Sequence, residues 1–259
     1  MSLDLAAILV LVERDLRRFF RQKSRVLGAL GQPLIFWGVF GSGLTGSFQI
    51  PGAAGVSYAQ YFYPGVVVMI VLFTAIFTTM SVIEDRHSGF LQAVLVAPGS
   101  RTAVVLGKCL GASAVALVQS ALFLLLAPLA GFDPGAIAWP ALVCALTLAC
   151  FTLCAVGFAV AWWLDSTAGY HVVMSILLLP MWILSGAMFP APAHGWIAFV
   201  ERLDPMSYAV SAVRRALYAG SPPPGTGLAG ASALVELGAL ALFGAFAALV
   251  AVRLCHRRR

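Results

Sequence analysis

Six long apolar runs govern what this chain can become. They fall at about residues 26–46, 61–83, 103–130, 137–164, 169–189 and 228–252. Each reaches the roughly 20 residues a helix needs to cross a hydrocarbon core of ~30 Å. Lipid offers no hydrogen bonds to the backbone, so such runs must be helical. Membrane strands would alternate polar and apolar residues over about ten positions, and these runs do not. Composition agrees: 61% of residues are apolar, 10% are charged and the mean hydropathy is +0.95. Soluble domains sit near 45–50% apolar. The expected fold is all-α and integral to the membrane, a single transmembrane domain over residues 1–259 with six spans.

The 16 Lys and Arg residues set the orientation. Thirteen fall on one side of a six-span layout: Arg14, Arg17, Arg18, Arg21, Lys23, Arg25, Arg86, Arg101, Lys108, Arg253, Arg257, Arg258 and Arg259. Arg202, Arg214 and Arg215 fall on the other. Basic residues collect on the cytoplasmic side, so both termini are expected there. The net charge of +6 is thereby explained without nucleic acid. The N-terminal stretch has its positive charges after the apolar run, so insertion is expected through uncleaved spans. The five cysteines, Cys109, Cys144, Cys150, Cys154 and Cys255, form no Cys-x-x-Cys pair and read as small core residues.

Residues 1–25 precede the first span. Leu5, Ile8, Leu9, Val12, Leu16, Phe19 and Phe20 share one helical face, and Glu13, Arg14, Arg17, Arg18 and Arg21 share the other. Glu13 and Arg17 are spaced as a favourable helix pair. The pattern predicts an amphipathic helix in the cytoplasmic interface. A seventh span is disfavoured because the apolar run 5–12 is too short.

The connection at 84–101 reads EDRHSGFLQAVLVAPGSR. Gly89 permits a turn, Phe90, Leu91, Val94 and Leu95 form the apolar side of a short helix, and Pro98 and Gly99 end it. Two readings fit: a compact helix that transmits a push from a cytoplasmic partner, or an interfacial loop whose apolar side dips into lipid. The outer segment 190–227 predicts two short helices, one around Trp196–Val200 and one capped by Asp204 with Pro205 at its first position. They either re-enter the outer leaflet or lie on its surface.

Candidates for a pathway between helices are Pro180, Trp182, Gly186, Phe189 and Glu236. A proline inside a span frees a carbonyl and permits a kink, with or without a functional role. Glu236 is an acid within a span, where charge costs ~2.5–3.5 kcal/mol or more and normally faces protein or water. Gly107 and Gly111 have the spacing that lets helices approach closely. Gln119 reads as an interhelical hydrogen-bond donor, and His171 as a polar residue at a helix end. A phosphate-binding loop is missing: before Gly107 and Lys108, Thr102 stands where its first glycine belongs, and Cys109 replaces the hydroxyl residue.

The amphipathic RDLRRFFRQKSR, then GQPLIFWGVFGSGL, Tyr61-Phe-Tyr-Pro-Gly65, the 84–101 segment with Gly107 and Lys108, LLLPMWILSGAMFP and LDPMSYAVSAVRRAL follow one another along the chain. In order and spacing they resemble the membrane subunit of type-2 ABC exporters. The resemblance implies a permease without catalytic residues in the bacterial inner membrane. It implies two copies of it, two copies of a separate ATPase, and ATP with Mg²⁺ bound on that partner. No cofactor is expected on this chain. By the same resemblance Glu84, Asp85, Arg86, Gly89, Phe90, Leu91, Val94 and Leu95 dock the ATPase, with Arg14 and Arg17 of the first helix as a second contact. The implied cargo is a drug, lipid or glycan. Two rival classes remain open: a gradient-driven transporter or channel, which predicts inverted repeats or several intramembrane charges, and an intramembrane enzyme, which needs a convergent polar site.

Overall fold

The computed structural model describes residues 3–44, 55–96, 99–190, 195–223, 228 and 231–257. The helices are α1 (Leu3–Arg21), α2 (Lys23–Gly43), α3 (Tyr58–Thr79), α4 (Ser81–His87), α5 (Phe90–Val96), α6 (Arg101–Leu124), α7 (Trp139–Trp163), α8 (Thr167–Leu184), α9 (Trp196–Leu203), α10 (Pro205–Leu217) and α11 (Ala233–Arg257), with a 3-10 turn at Ala127–Ala130. No strand occurs among the described residues. Among the described residues, six segments are long and apolar enough to cross a membrane: α2, α3 continued by α4, α6, α7, α8 and α11. The all-α six-span fold expected from the sequence is therefore present.

The helices start where side chains can take up their free N–H groups. Ser57 Oγ accepts from Gln60 N at 3.1 Å, Ser100 Oγ from Ala103 N at 3.1 Å, Ser166 Oγ from Gly169 N at 3.2 Å and Asp204 Oδ1 from Met206 N at 2.8 Å. Asp204 with Pro205 and the two short helices after α8 match the expectation. Residues 191–194 and 224–227 of that segment lie outside the described residues, as does Pro98.

Several boundaries differ from the sequence reading. The second span runs past its expected end, because α4 continues α3 after Met80. Glu84 and Asp85 therefore ride on a helix rather than in a connection. Residues 23–25 belong to α2, which follows α1 after Gln22 alone. α8 stops at Leu184, short of residue 189, because Gly186 turns the chain with φ +73°. The last span begins at Ala233 and not at residue 228: the Leu228 N–H donates to Ser211 Oγ at 3.2 Å, outside the helix.

α3 is the central staff. Its span is 83% buried, against 17% for α2, 22% for α8 and 28% for α11. α2, α6, α7, α8 and α10 pack around it. The peripheral helices expose Leu27, Ile35 and Val39, then Val172 and Ile176, then Leu234, Leu242 and Phe246. Apolar area on that scale suits a lipid surface or a partner face and not water. Both ends of the described chain meet at one end of the bundle. There Ser100 N donates to Asp4 Oδ1 at 2.8 Å, and Arg101 Nη1 donates to Cys255 O at 3.0 Å. The α9–α10 hairpin lies at the other end, with α10 against α7, α11 and α3 and with α9 against α8.

Candidate coupling site

At the termini end, one carboxylate gathers three cations. Asp85 on α4 accepts from Arg14 Nη1 and Nη2 at 2.9 and 2.8 Å, from Arg18 Nη1 at 2.6 Å and from Lys108 Nζ at 2.6 Å. Lys108 also donates to both Asp15 oxygens at 2.9 and 3.1 Å, and Arg18 reaches Glu84 at 2.7 Å. Arg14, Arg18 and Lys108 thus face Asp15, Glu84 and Asp85, which cancel formally. Asp85 and Lys108 are each 2% exposed. Charges that deep persist when they are paired and hydrogen-bonded, as they are here. Burial pushes the Asp15 carboxyl up, with Lys108 pulling the other way. Hydrogen bonding to Asp85 raises Arg14.

The cluster exists because α1 lies directly on α6. A Cβ at Gly107 would stand 3.2 Å from Ile8 Cα and 2.9 Å from Leu11 Cδ1; at Gly111 it would stand 3.3 Å from Val12 Cα. The glycine pair thus lets α1 approach α6 closely, as its spacing predicts. Arg14 and Arg18 of the polar face of α1 therefore turn into the protein. Arg17 stays exposed and pairs with Glu13, as the spacing predicts.

Two further arginines tie the same segment to other spans. Arg86 donates to Trp162 O at 2.9 Å and Leu164 O at 3.3 Å, pairs with Asp165 at 2.6 Å and lies 4.8 Å from the Trp162 ring centre. Arg101 donates to Cys255 O and His256 O at 3.0 and 3.3 Å. Both occupy helix C-termini, where free carbonyls and the helix dipole favour a cation. The segment 84–101 is thereby fastened to α1, α7 and α11 at once.

Gly89, at φ +76°, turns the chain from α4 into α5. The apolar side of α5 faces inward. Leu91 is buried, Phe90 lies beneath the Arg14 guanidinium at 3.7 Å and Val94 packs on the core. Gln92, Ala93 and Val96 are the exposed residues. The Leu95 side chain lies outside the described residues.

The five pathway candidates separate. Pro180 and Phe189 are exposed on the periphery, and Trp182 and Gly186 are buried in a seam with α3. Glu236 stands elsewhere, fully buried, beside a cavity of about 140 Å³ between α7, α10 and α11. Its carboxylate accepts from Ser211 Oγ at 2.6 Å and from Arg215 at 2.8 and 2.9 Å. Gln119 accepts from the Thr74 hydroxyl, the reverse of the expected donor role. Asp15, Arg18, Lys108 and Arg101 were missed as site residues. Lys108 inside an apolar run was the signal that pointed to a buried partner.

The profile of the ABC-2 type transporter family matches residues 6–218. The chain belongs to the ABC-2 type transporter family. It is 28% identical over 242 residues to nodulation protein J of Neorhizobium galegae, covering 91% of this chain and 87% of that protein. It is 26% identical over 226 residues to the daunorubicin resistance ABC transporter permease protein DrrB1 of Streptomyces coeruleorubidus, covering 82% and 75%. It is 25% identical over 213 residues to the putative transport permease ycf38 of Cyanophora paradoxa, covering 80% and 72%. As an ABC-2 family member, the chain is a multi-pass membrane subunit of an ABC transporter. Subunits of this kind are normally non-catalytic, and the family implies an ATP-binding partner.

Proposed function

We propose that the chain is the permease of an ATP-driven exporter. It moves an amphipathic molecule, a drug, lipid or glycan, out of the cytoplasm or inner leaflet of a bacterial inner membrane. ATP and Mg²⁺ act on a separate ATPase present in two copies, and two permeases pair through exposed apolar faces. The termini end faces the cytoplasm and the hairpin end faces outward. The observation that carries the reading is the three-way fastening of segment 84–101. A push on α5 is delivered to α1 through Asp85, to α7 through Arg86 and to α11 through Arg101.

In this mechanism Phe90, Leu91 and Val94 hold α5 in place, while Gln92, Ala93 and Val96 meet the ATPase. Gly89 sets the angle of the elbow. Arg14 acts from within by pinning Asp85, and Arg17 is on the exposed face where a second contact is available. The name of the daunorubicin resistance relative supports a drug-like cargo, and the apolar interior suits one with an oily body.

The test is co-purification with the ATPase encoded beside the gene, followed by vanadate-sensitive ATP hydrolysis in liposomes. Val96→Asp places a charge on the exposed α5 face and is expected to lower ATPase retention at least about tenfold, which equals roughly 1.4 kcal/mol, with the melting temperature unchanged. Full retention would move the contact elsewhere. Flux without any ATPase would replace the exporter with a channel.

A further inference from the structure

At the hairpin end, three elements converge on one carbonyl. Gly186 O accepts from Tyr61 Oη of α3 at 2.9 Å and from Arg214 Nη2 of α10 at 2.9 Å. The Arg214 guanidinium lies 4.6 Å from the Tyr61 ring centre and the residue is 2% exposed. Tyr58 Oη donates to Met188 O at 3.0 Å, and Trp182 Nε1 donates to Gly65 O at 2.8 Å. A Cβ at Gly65 would stand 2.9 Å from Ala187 Cα, so the turn after α8 lies flush on α3. α3 and this turn form one block, and α10 is pinned to it through Arg214.

Glu201 sits beside the pin, and Asp204 is a second buried acid of the same hairpin. Glu201 of α9 is 7% exposed and Asp204, which caps α10, is 3% exposed. Glu201 Oε1 would lie 3.4 Å from a Cβ at Gly186, and Arg214 and then Arg202 are the cations that favour its ionised form. Tyr61 of α3 and Tyr218 after α10 face the same guanidinium. The α8 turn contributes backbone carbonyls. Asp204 is faced by Glu201, the Met206 N–H and the Ser207 hydroxyl. On the far side of α10, Arg215 is taken up by Glu236 of α11.

We propose that Arg214 is the positioning residue of a latch that clamps the α9–α10 hairpin to the α3–α8 block, and that protons on Glu201 and Asp204 set whether the latch is closed. With both acids protonated, the buried site carries the guanidinium against neutral acceptors and fixed carbonyl dipoles. With both ionised, Glu201 and Asp204 repel each other where water is scarce, Arg214 and Arg202 offset Glu201 alone, and opening restores their hydration.

Burial pushes both carboxyls up to about 7. An open hairpin returns them to the ordinary value of roughly 4. Closing therefore takes up protons between these limits. Closure is strongest at low pH, weakens as pH rises towards about 7, and levels off above it. On the proposed orientation the latch reads the external pH.

Amide hydrogen exchange of residues 196–217, measured by mass spectrometry on the full chain in nanodiscs at pH 6 and pH 8 and corrected for intrinsic rates, tests this. Opening should rise by about tenfold per carboxyl between these values. Glu201→Gln with Asp204→Asn, which keeps shape and cap, should abolish the difference. Arg214→Gln should raise exchange at both values, and Arg214→Lys should restore part of the protection. A parent protein with equal exchange at both values, or a double variant that keeps the full difference, overturns the proposal. No ATPase is needed, so failure of the exporter reading leaves this result standing.

Discussion

Replacing Asp85 with alanine is expected to abolish transport by the assembled complex and to lower the melting temperature of the permease more than any other single truncation at the termini end. The carboxylate accepts four hydrogen bonds from Arg14, Arg18 and Lys108, with itself and Lys108 almost fully buried. Its loss leaves Lys108 with Asp15 alone, frees Arg14 from α4 and leaves Arg18 tied to α4 through Glu84 only. Breaking one partner of a buried pair costs about 3–5 kcal/mol, chiefly because the surviving charge keeps its desolvation penalty. The diagnostic companion is Asp85→Ala with Lys108→Met. Deleting the stranded cation should recover much of the melting temperature. Coupling should stay impaired, since the Arg14 and Arg18 links to Asp85 remain absent. A single variant that melts like the parent would show that the charges are not holding α1 to α4.

The second large effect is expected at Gly107. A leucine there must enter space held by the Leu11 side chain and the Ile8 backbone. Backbone cannot swing aside as a flexible side chain can, so α1 must lift from α6. Overpacking of this kind costs about 1–3 kcal/mol. Lifting α1 also draws Asp15, Arg14 and Arg18 away from Lys108 and Asp85, so ATP hydrolysis should continue with little transport. Limited proteolysis within α1 reports the displacement. Gly107→Ala is the graded version, and Leu11→Ala in the same chain should offset it by vacating the nearest contact. No rescue would mean that the glycine serves something other than close approach.

Much of the architecture could be read from the chain because its causes are local. The six spans follow from run length, the α1 stripe from helical periodicity, and the start of α10 from Asp204. The coupling site was legible only in part. Arg14 and Asp85 were named, yet their bond joins residues 71 apart, and Lys108 reaches Asp15 across 93. Periodicity assigns a residue to a face of its helix; it carries no information on which other helix arrives there. The same gap explains α5. The apolar side of a seven-residue helix was offered to a partner, but Leu91 goes into the core of its own chain, leaving Gln92, Ala93 and Val96 outside. Glu236 was found from its type alone, while Arg215 was classed with the loop charges that set orientation.

The neutral six-member cluster also bears on biogenesis. During insertion, Arg14, Arg18 and Lys108 are separate positive charges on an unfolded chain, and as such they help to retain their flanking loops on one face of the bilayer. Once Asp15, Glu84 and Asp85 close around them, that charge no longer projects from the mature molecule. The topogenic signal and the surface potential of the finished subunit are thus two different quantities written in the same residues. A variant can lose the second without misreading the first, and protease mapping of loop sidedness should find an Asp85 variant inserted in the parental direction even where it is inactive.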